Sequence, residues 1–376
     1  MIAFLFLFAA LHPFVTFPLS LRLARKAKAR PLDRRPEIEP TMAMCFCAYN
    51  EEAVIAEKAE NLLALKRAIP SLEIFAYVDG RGDRTGEILQ SYGKDIAVDW
   101  SAERHGKSHG MNRIVGMATA DVIVFTDANV MLDGEALANL RGYFEDPSVG
   151  CVCGQLRYLD NADSATASTG SLYWKLEEAI KQLESDTGSV MGADGSIFAI
   201  RRSLHRPVPA DIIDDMYVSF SILLDGHRIV RAPDVVAYEQ SVSSASEEFR
   251  RKVRIACQAM NVHRLLWPRL RGMDGWNLYK YVSHKLMRWL SIFTLALSAL
   301  FFTAGFLAQG WIVATIALWA TGLLAIALGA MGVKPFAQGW NVLLALIGTG
   351  FGVVKSFTGE RFQTWTPASS IRRSAS

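Results

Sequence analysis

Apolar positions follow three different rhythms along this chain. Residues 1–20 (MIAFLFLFAALHPFVTFPLS) contain no charged side chain and are long enough to cross a bilayer. From residue 41 to about 270, short apolar runs alternate with amphipathic stretches. This rhythm predicts strands over 42–48, 73–78, 95–98 and 121–126, and helices beginning near Glu51, Thr85 and Lys107. Beyond Trp276 the chain turns apolar again, in blocks near 288–308, 311–333 and 339–355. The basic-aromatic stretch His284–Trp289 (HKLMRW) introduces these blocks and suits a membrane interface.

Short buried strands alternating with helices predict an α/β domain with a mostly parallel sheet covered on both faces. Ligands of such sheets gather at the carboxyl ends of the strands. The predicted organisation is a transmembrane anchor at 1–21, a basic juxtamembrane linker at 22–40 and a catalytic domain at 41–270. An interfacial helix at 271–287, membrane segments at 288–357 and a polar tail at 358–376 complete it.

Arg22, Arg25, Lys26, Lys28, Arg30, Arg34 and Arg35 follow the first apolar run, whereas a cleaved signal peptide carries its basic residues before it. The positive-inside bias then places residues 41–270 in the cytoplasm. By the same rule, three full C-terminal crossings would strand Lys355, Arg361, Arg372 and Arg373 outside. One C-terminal segment is therefore a candidate for a re-entrant or interfacial helix. The apolar blocks lack the mid-membrane ionisable residues that line transport pathways, which argues against a transporter.

Charge and cysteine content narrow the class further. A net charge of +3 over 376 residues gives no electrostatic footprint for nucleic acid. The five cysteines, at 45, 47, 151, 153 and 257, include two C-x-C pairs, which is neither a disulfide framework nor the usual zinc spacing. They read as small buried strand residues in a reducing compartment.

Four polar clusters fall where the predicted strands end. Tyr49-Asn50-Glu51-Glu52 can bind a ribose or a base edge, with Tyr49 stacking on a ring, or can cap the next helix. Asp79 begins the glycine-bearing loop Asp79-Gly80-Arg81-Gly82-Asp83-Arg84-Thr85, in which backbone can approach a ligand closely. Lys107 follows Gly106 at a helix N-terminus, where a bound phosphate accounts for it better than capping does. The P-loop spacing is absent. Asp127-Ala128-Asn129 can coordinate a divalent cation bridging a diphosphate, or can form a strand-end turn.

In the order YNEE, VDGRGDRT, GKSHGMN, FTDAN, these segments resemble the donor-binding half of family 2 glycosyltransferases. The resemblance continues through GADGSIFAIRR at 192–202, Asp214-Asp215 and EEFRRKVRIACQAMN at 247–261, covering about 43–265. It implies an A-type nucleotide-sugar-binding domain and inverting transfer from a nucleotide-sugar, usually a UDP-sugar, to a glycan or lipid-linked acceptor in cell-surface polysaccharide synthesis. Tyr49, Asn50, Glu51 and Asp79 would hold the nucleotide, with Lys107 and Arg254 also on the donor. Asp127 and Asn129 would hold Mg²⁺ or Mn²⁺, although an amide replaces the usual second carboxylate. Asp215 would be the base, with Asp214 the second candidate.

Processive members carry Q-x-x-R-W, where this chain has Arg251-Lys252-Val253-Arg254-Ile255. Without that tryptophan, one or a few sugars per encounter are expected, unless Trp174 or Trp267 supplies a platform. The resemblance also implies a multi-pass protein of the inner (plasma) membrane, in contact with lipid and with other polysaccharide assembly proteins. Two alternatives stand beside it: single-sugar transfer to a polyprenyl phosphate or diphosphate, and a non-catalytic donor-binding subunit.

Overall fold

The computed structural model describes residues 1–35, 39–159, 165–240 and 245–364, with side chains for 165–173 and 245 left out. In chain order its helices and strands are α1 (Ile2–Leu11), α2 (Thr16–Lys28), β1 (Met42–Ala48), α3 (Ile55–Ala68), β2 (Glu73–Asp79), α4 (Thr85–Ser91) and β3 (Ala97–Ser101). Then come α5 (Lys107–Met117), β4 (Val122–Thr126), β5 (Met131–Leu132), α6 (Ala136–Arg141), β6 (Val149–Leu159), α7 (Ala165–Asp186) and β7 (Ile197–Arg201). The chain continues through α8 (Asp214–Leu224), β8 (Arg228–Gln240), α9 (Ala245–Leu270), α10 (Gly275–Tyr281), α11 (Met287–Ala308), α12 (Ile312–Ala330) and α13 (Phe336–Phe357).

The strands form one sheet in the order β3-β2-β1-β4-β7-β6-β8-β5. Its first four strands are parallel, joined by the crossovers through α3, α4 and α5. β7 then runs antiparallel to both β4 and β6, while β6 and β8 are parallel. The expected parallel sheet thus describes the first half, and the second half is mixed. The sequence rhythm reports only that a strand is buried on both faces, not which way it runs.

β1 is buried at every position because both faces are covered. Cys45 and Cys47 point into one core layer with Phe75, Tyr77 and Met111, and Met44 and Phe46 into the other with Ile55 and Leu62. All five cysteines are free and buried. The strand expected at 95–98 lies at 97–101.

Among the described residues, three helical stretches are long and apolar enough to cross a membrane: Gly275–Ala308, Ile312–Ala330 and Phe336–Phe357. The N-terminal apolar run is two helices, α1 and α2, bent by 64°. His12 sits at the bend, its ring nitrogens 2.7 Å from Thr16 Oγ1 and 2.9 Å from Ser283 Oγ. α1 packs along α11 through Phe4 on Phe302 and Phe6 on Phe301.

Two devices join these apolar helices to the sheet domain. A π-helical turn, Val282–Leu286, places buried His284 between Glu184 and Glu177 of α7, at 2.7 and 3.0 Å. A row of glycines then lets α13 lie directly on its neighbours. A Cβ at Gly352 would come 2.4 Å from the Val253 carbonyl of α9, and one at Gly350 would come 2.4 Å from Ile292 of α11. Small residues at such a crossing let backbones approach closely.

Candidate active site

The loops after β1 and β2 are built as one unit. Asn50 has φ +52°, a conformation asparagine tolerates better than most residues. Gly82 makes room for it, since a Cβ there would sit 1.8 Å from Asn50 Oδ1. The Glu51 N–H donates to Thr85 Oγ1 at 2.8 Å. The Glu52 N–H donates to Asp83, and the Arg84 N–H donates to Glu52 in return.

Asp79 is fully buried beneath the loop that leads into α5. Its carboxylate accepts the N–H groups of His105, at 2.7 Å, and Gly106, at 3.1 Å. The Arg104 guanidinium lies beside it at 3.5 Å and covers the Tyr49 ring, 3.5 Å from the ring centroid. Arg104 thus covers one face of the Tyr49 ring. Asp79 shapes the 104–106 loop through these backbone bonds.

Gly106 has φ +91° and delivers Lys107 to the centre of the site. The Lys107 ammonium is 2.8 Å from Asp127 and 3.3 Å from Asp214. Burial alone would lower its pKa, but Asp127, Asp214 and Asp215 together outweigh burial and raise it. Lys107 is thus a permanent cation at the meeting point of β4, α5 and α8.

Asp214 and Asp215 open α8, where carboxylates favour the positive end of the helix. Asp214 is buried against Lys107. Asp215 is pushed up to about 7 by burial and by the neighbouring Asp214, with Lys107 opposing. Its carboxylate lies against Gly195, where a Cβ would come within 3.0 Å. From α9, Arg254 feels the charges of Asp127, Asp214 and Asp215 and reaches Gln258 at 3.3 Å. Burial and then Arg251 lower its pKa. Arg251, on the same helix, faces Glu239 and Asp127. This basic pair looks into the site.

Sequence reasoning missed two contributors. Asn129 donates its amide to Glu239 at 2.9 Å, so a buried carboxylate from β8 stands beside the position where the family motif has its second acid. Glu239 lies at the carboxyl end of a buried strand, the signal that singled out Asp79 and Asp127. The second contributor is the segment after α13. Arg361 pairs with Asp211 at 2.6 Å, Phe362 O accepts from Gln258 at 3.0 Å, and Gln363 donates to His105 O at 3.2 Å. This strap crosses directly over Gly106, where a Cβ would be 2.2 Å from Gln363 O. No local pattern in the sequence marks it.

A half-parallel sheet with an acidic and basic cluster at its strand ends has the A-type glycosyltransferase fold, and the comparisons agree. Residues 40–258 match the model of the glycosyltransferase-like family 2, and the chain belongs to that family. It is 26% identical over 238 residues to a poly-beta-1,6-N-acetyl-D-glucosamine synthase of Staphylococcus aureus, covering 60% of this chain and 57% of the relative. It is 23% identical over 275 residues to an N-acetylglucosaminyltransferase of Rhizobium meliloti, covering 69% and 64%. The chain therefore spans little more than half the length of the first of these curated relatives. A solved mannosyltransferase of Pyrobaculum calidifontis, in complex with GDP-Man and Mn²⁺, matches with a TM-score of 0.73 at 22% identity, covering 96% of this chain and 99% of that one. At that identity it establishes the fold.

Proposed function

We propose that this protein is an inverting glycosyltransferase that moves a sugar from a nucleotide-sugar, in the first instance a UDP-sugar, to a glycan or lipid-linked acceptor in polysaccharide synthesis. The carrying observation is the juxtaposition of Asp215 with Lys107 and Asp127. A carboxylate pushed up to about 7 is matched to accepting a hydroxyl proton near neutral pH. The acceptor oxygen attacks the anomeric carbon while the bond to the diphosphate breaks, and Asp215 takes the acceptor's proton. One such displacement inverts the anomeric centre.

Lys107, set among the acidic groups, and Arg254 beside them stabilise the charge that develops on the departing diphosphate. Asp127, the Asn129 amide oxygen and Glu239 form a set of hard oxygen donors, which fits Mg²⁺ or Mn²⁺ when diphosphate oxygens complete the shell. Among the described residues no three acidic, histidine or cysteine side chains could hold an ion together, so the donor has to supply part of the shell. Bound there, the ion would neutralise diphosphate charge. Arg104 over Tyr49 makes a base-sized platform, and Asn50, Glu51 and Asp79 hold its surroundings in place.

The strap also bears on topology. The contacts of Arg361 and Gln363 with the sheet domain support a reading with an even number of crossings between α10 and the strap. In this reading α11 and α12 form a hairpin, linked by Trp319 donating to Thr303 at 3.0 Å, and α13 lies along α9. Lys355 and Arg361 then share the cytoplasmic side with the basic residues after α1, as the positive-inside bias requires.

The test is a donor screen with the full chain in lipid nanodiscs. UDP-sugars and GDP-mannose are offered to oligosaccharide and to polyprenyl phosphate acceptors, and products are read by mass and by anomeric NMR. Product with retained configuration, or no transfer from any donor, would overturn the proposal.

A further inference from the structure

Lys58 of α3 is fully buried beneath the sheet's carboxyl edge, yet the chemistry above makes no use of it. Its ammonium donates to Thr126 Oγ1 at 3.2 Å and to the Val130 carbonyl. These two acceptors lie immediately on either side of Asp127-Ala128-Asn129. One helical turn along, Asn61 donates to Leu132 O and accepts the Leu132 N–H, both at 2.9 Å. The segment 126–132 is therefore pinned from below at both ends by α3, and Asp127 is the acid whose charge opposes the cost of burying Lys58.

We propose that Lys58 is a positioning residue of the transfer site: it spans the Asp127–Asn129 turn and fixes the direction in which Asp127 meets the cation-bound diphosphate.

The physical case rests on what the alternatives cost. A buried ammonium is expensive unless it is paired and hydrogen-bonded, and an apolar side chain would fill the space beneath β1 and β4 at no such cost. What an apolar side chain cannot do is hold a hydroxyl and a carbonyl four residues apart in a fixed relation. Phe46, buried on β1 with its ring 5.9 Å from the ammonium, walls the lysine in on the sheet side. Within its backbone the turn is closed by the Val130 N–H donating to Asp127 O at 3.2 Å, while Lys107 and Glu239 hold only its side chains, Asp127 and Asn129. Without Lys58, Thr126 Oγ1 and Val130 O lose a shared donor, and the Asp127 carboxylate, held by Lys107 at 2.8 Å, loses the fixed backbone that sets its direction.

This inference rests on the proposed function, and the experiment separates the two. Mn²⁺ binding in the presence of UDP, and separately of GDP, is titrated by EPR on the nanodisc protein, with Tm measured in parallel. Lys58→Met should weaken Mn²⁺–nucleotide binding about tenfold, the size of one or two lost charge-assisted hydrogen bonds. Turnover at saturating donor should change much less. Thr126→Val removes one arm of the span without an ammonium to rebury and should weaken binding about threefold, so the idea stays testable if Lys58→Met fails to fold.

Leu62→Ala, on the same helix and fully buried, serves as the stability control. It should lower Tm and leave Mn²⁺–nucleotide binding unchanged. Wild-type affinity in both Lys58→Met and Thr126→Val, or an equal loss in Leu62→Ala, overturns the positioning role. If wild-type protein binds neither Mn²⁺–UDP nor Mn²⁺–GDP, the proposed function itself fails first.

Discussion

The two halves of the sheet place their polar groups in opposite ways. In the donor half, the strand-end loops hold each other: Asn50 fits against Gly82, Glu51 against Thr85, and Asp79 against the backbone of 105–106. Its acidic and amide groups are mostly occupied by backbone N–H donors or by short-range partners. In the mixed half, the charged groups arrive singly from distant elements: Asp215 from α8, Glu239 from β8, Arg251 and Arg254 from α9. The strap comes from beyond the last apolar helix.

The difference implies a division of labour. A pre-formed, internally bonded half suits recognition of a constant nucleotide. A half assembled from separate elements can bring a proton acceptor close to cations without either being neutralised by local backbone.

The largest effect should come from the mixed half. Asp215→Asn keeps the shape and removes proton acceptance, so kcat should fall by ~10²–10⁴ while donor binding changes little. As the proposed base, Asp215 would work only when ionised. Activity should therefore rise tenfold per pH unit well below about 7 and level off above it. Steady-state rates with separate isothermal donor titrations check both statements. Unchanged turnover in Asp215→Asn would move the base elsewhere.

A smaller effect of the opposite kind is expected from the donor half. In Gly82→Ala the new methyl would lie 1.8 Å from Asn50 Oδ1, so the Asn50 side chain must leave its place. Losing that placement should raise donor KM about tenfold, the value of a hydrogen bond or two, with kcat nearly unchanged. If instead kcat falls and KM holds, the halves do not divide the work as described.

The smallest effect sharpens the comparison within the acidic pair. Asp214 raises Asp215 by like-charge repulsion, second only to burial. Asp214→Asn removes that repulsion, so the acid limb of the pH–rate profile should shift to lower pH. An acid limb that stays in place would mean that burial alone sets the proton affinity of Asp215.

Much of the donor half was legible in the sequence because its groups sit where strand rhythm breaks. Tyr49, Asn50, Asp79 and Asp127 each follow an apolar run, Lys107 opens a predicted helix, and in a parallel sheet all such strand ends face one edge. α4 and α5 begin at Thr85 and Lys107, the residues at which sequence reading placed them. The rest was not legible, for reasons of range. The Asn129–Glu239 contact spans 110 residues, and the pairing of Gln363 with His105 spans 258. No window of local periodicity contains both partners.

Sequence by itself therefore determined the buried strands, the glycine-bearing loops and the apolar helices. Those follow from side-chain period and from conformations that only a few residue types adopt. Tertiary structure decided that Asp79 accepts the backbone of the 104–106 loop, that Arg104 lies over the Tyr49 ring, and that Lys58 spans the Asp127–Asn129 turn. It also decided that the segment after α13 returns to the active edge. Each of these depends on which partner reaches a buried polar group first. A lone carboxylate or ammonium in a low-dielectric interior must be matched, and sequence states the demand without naming the partner.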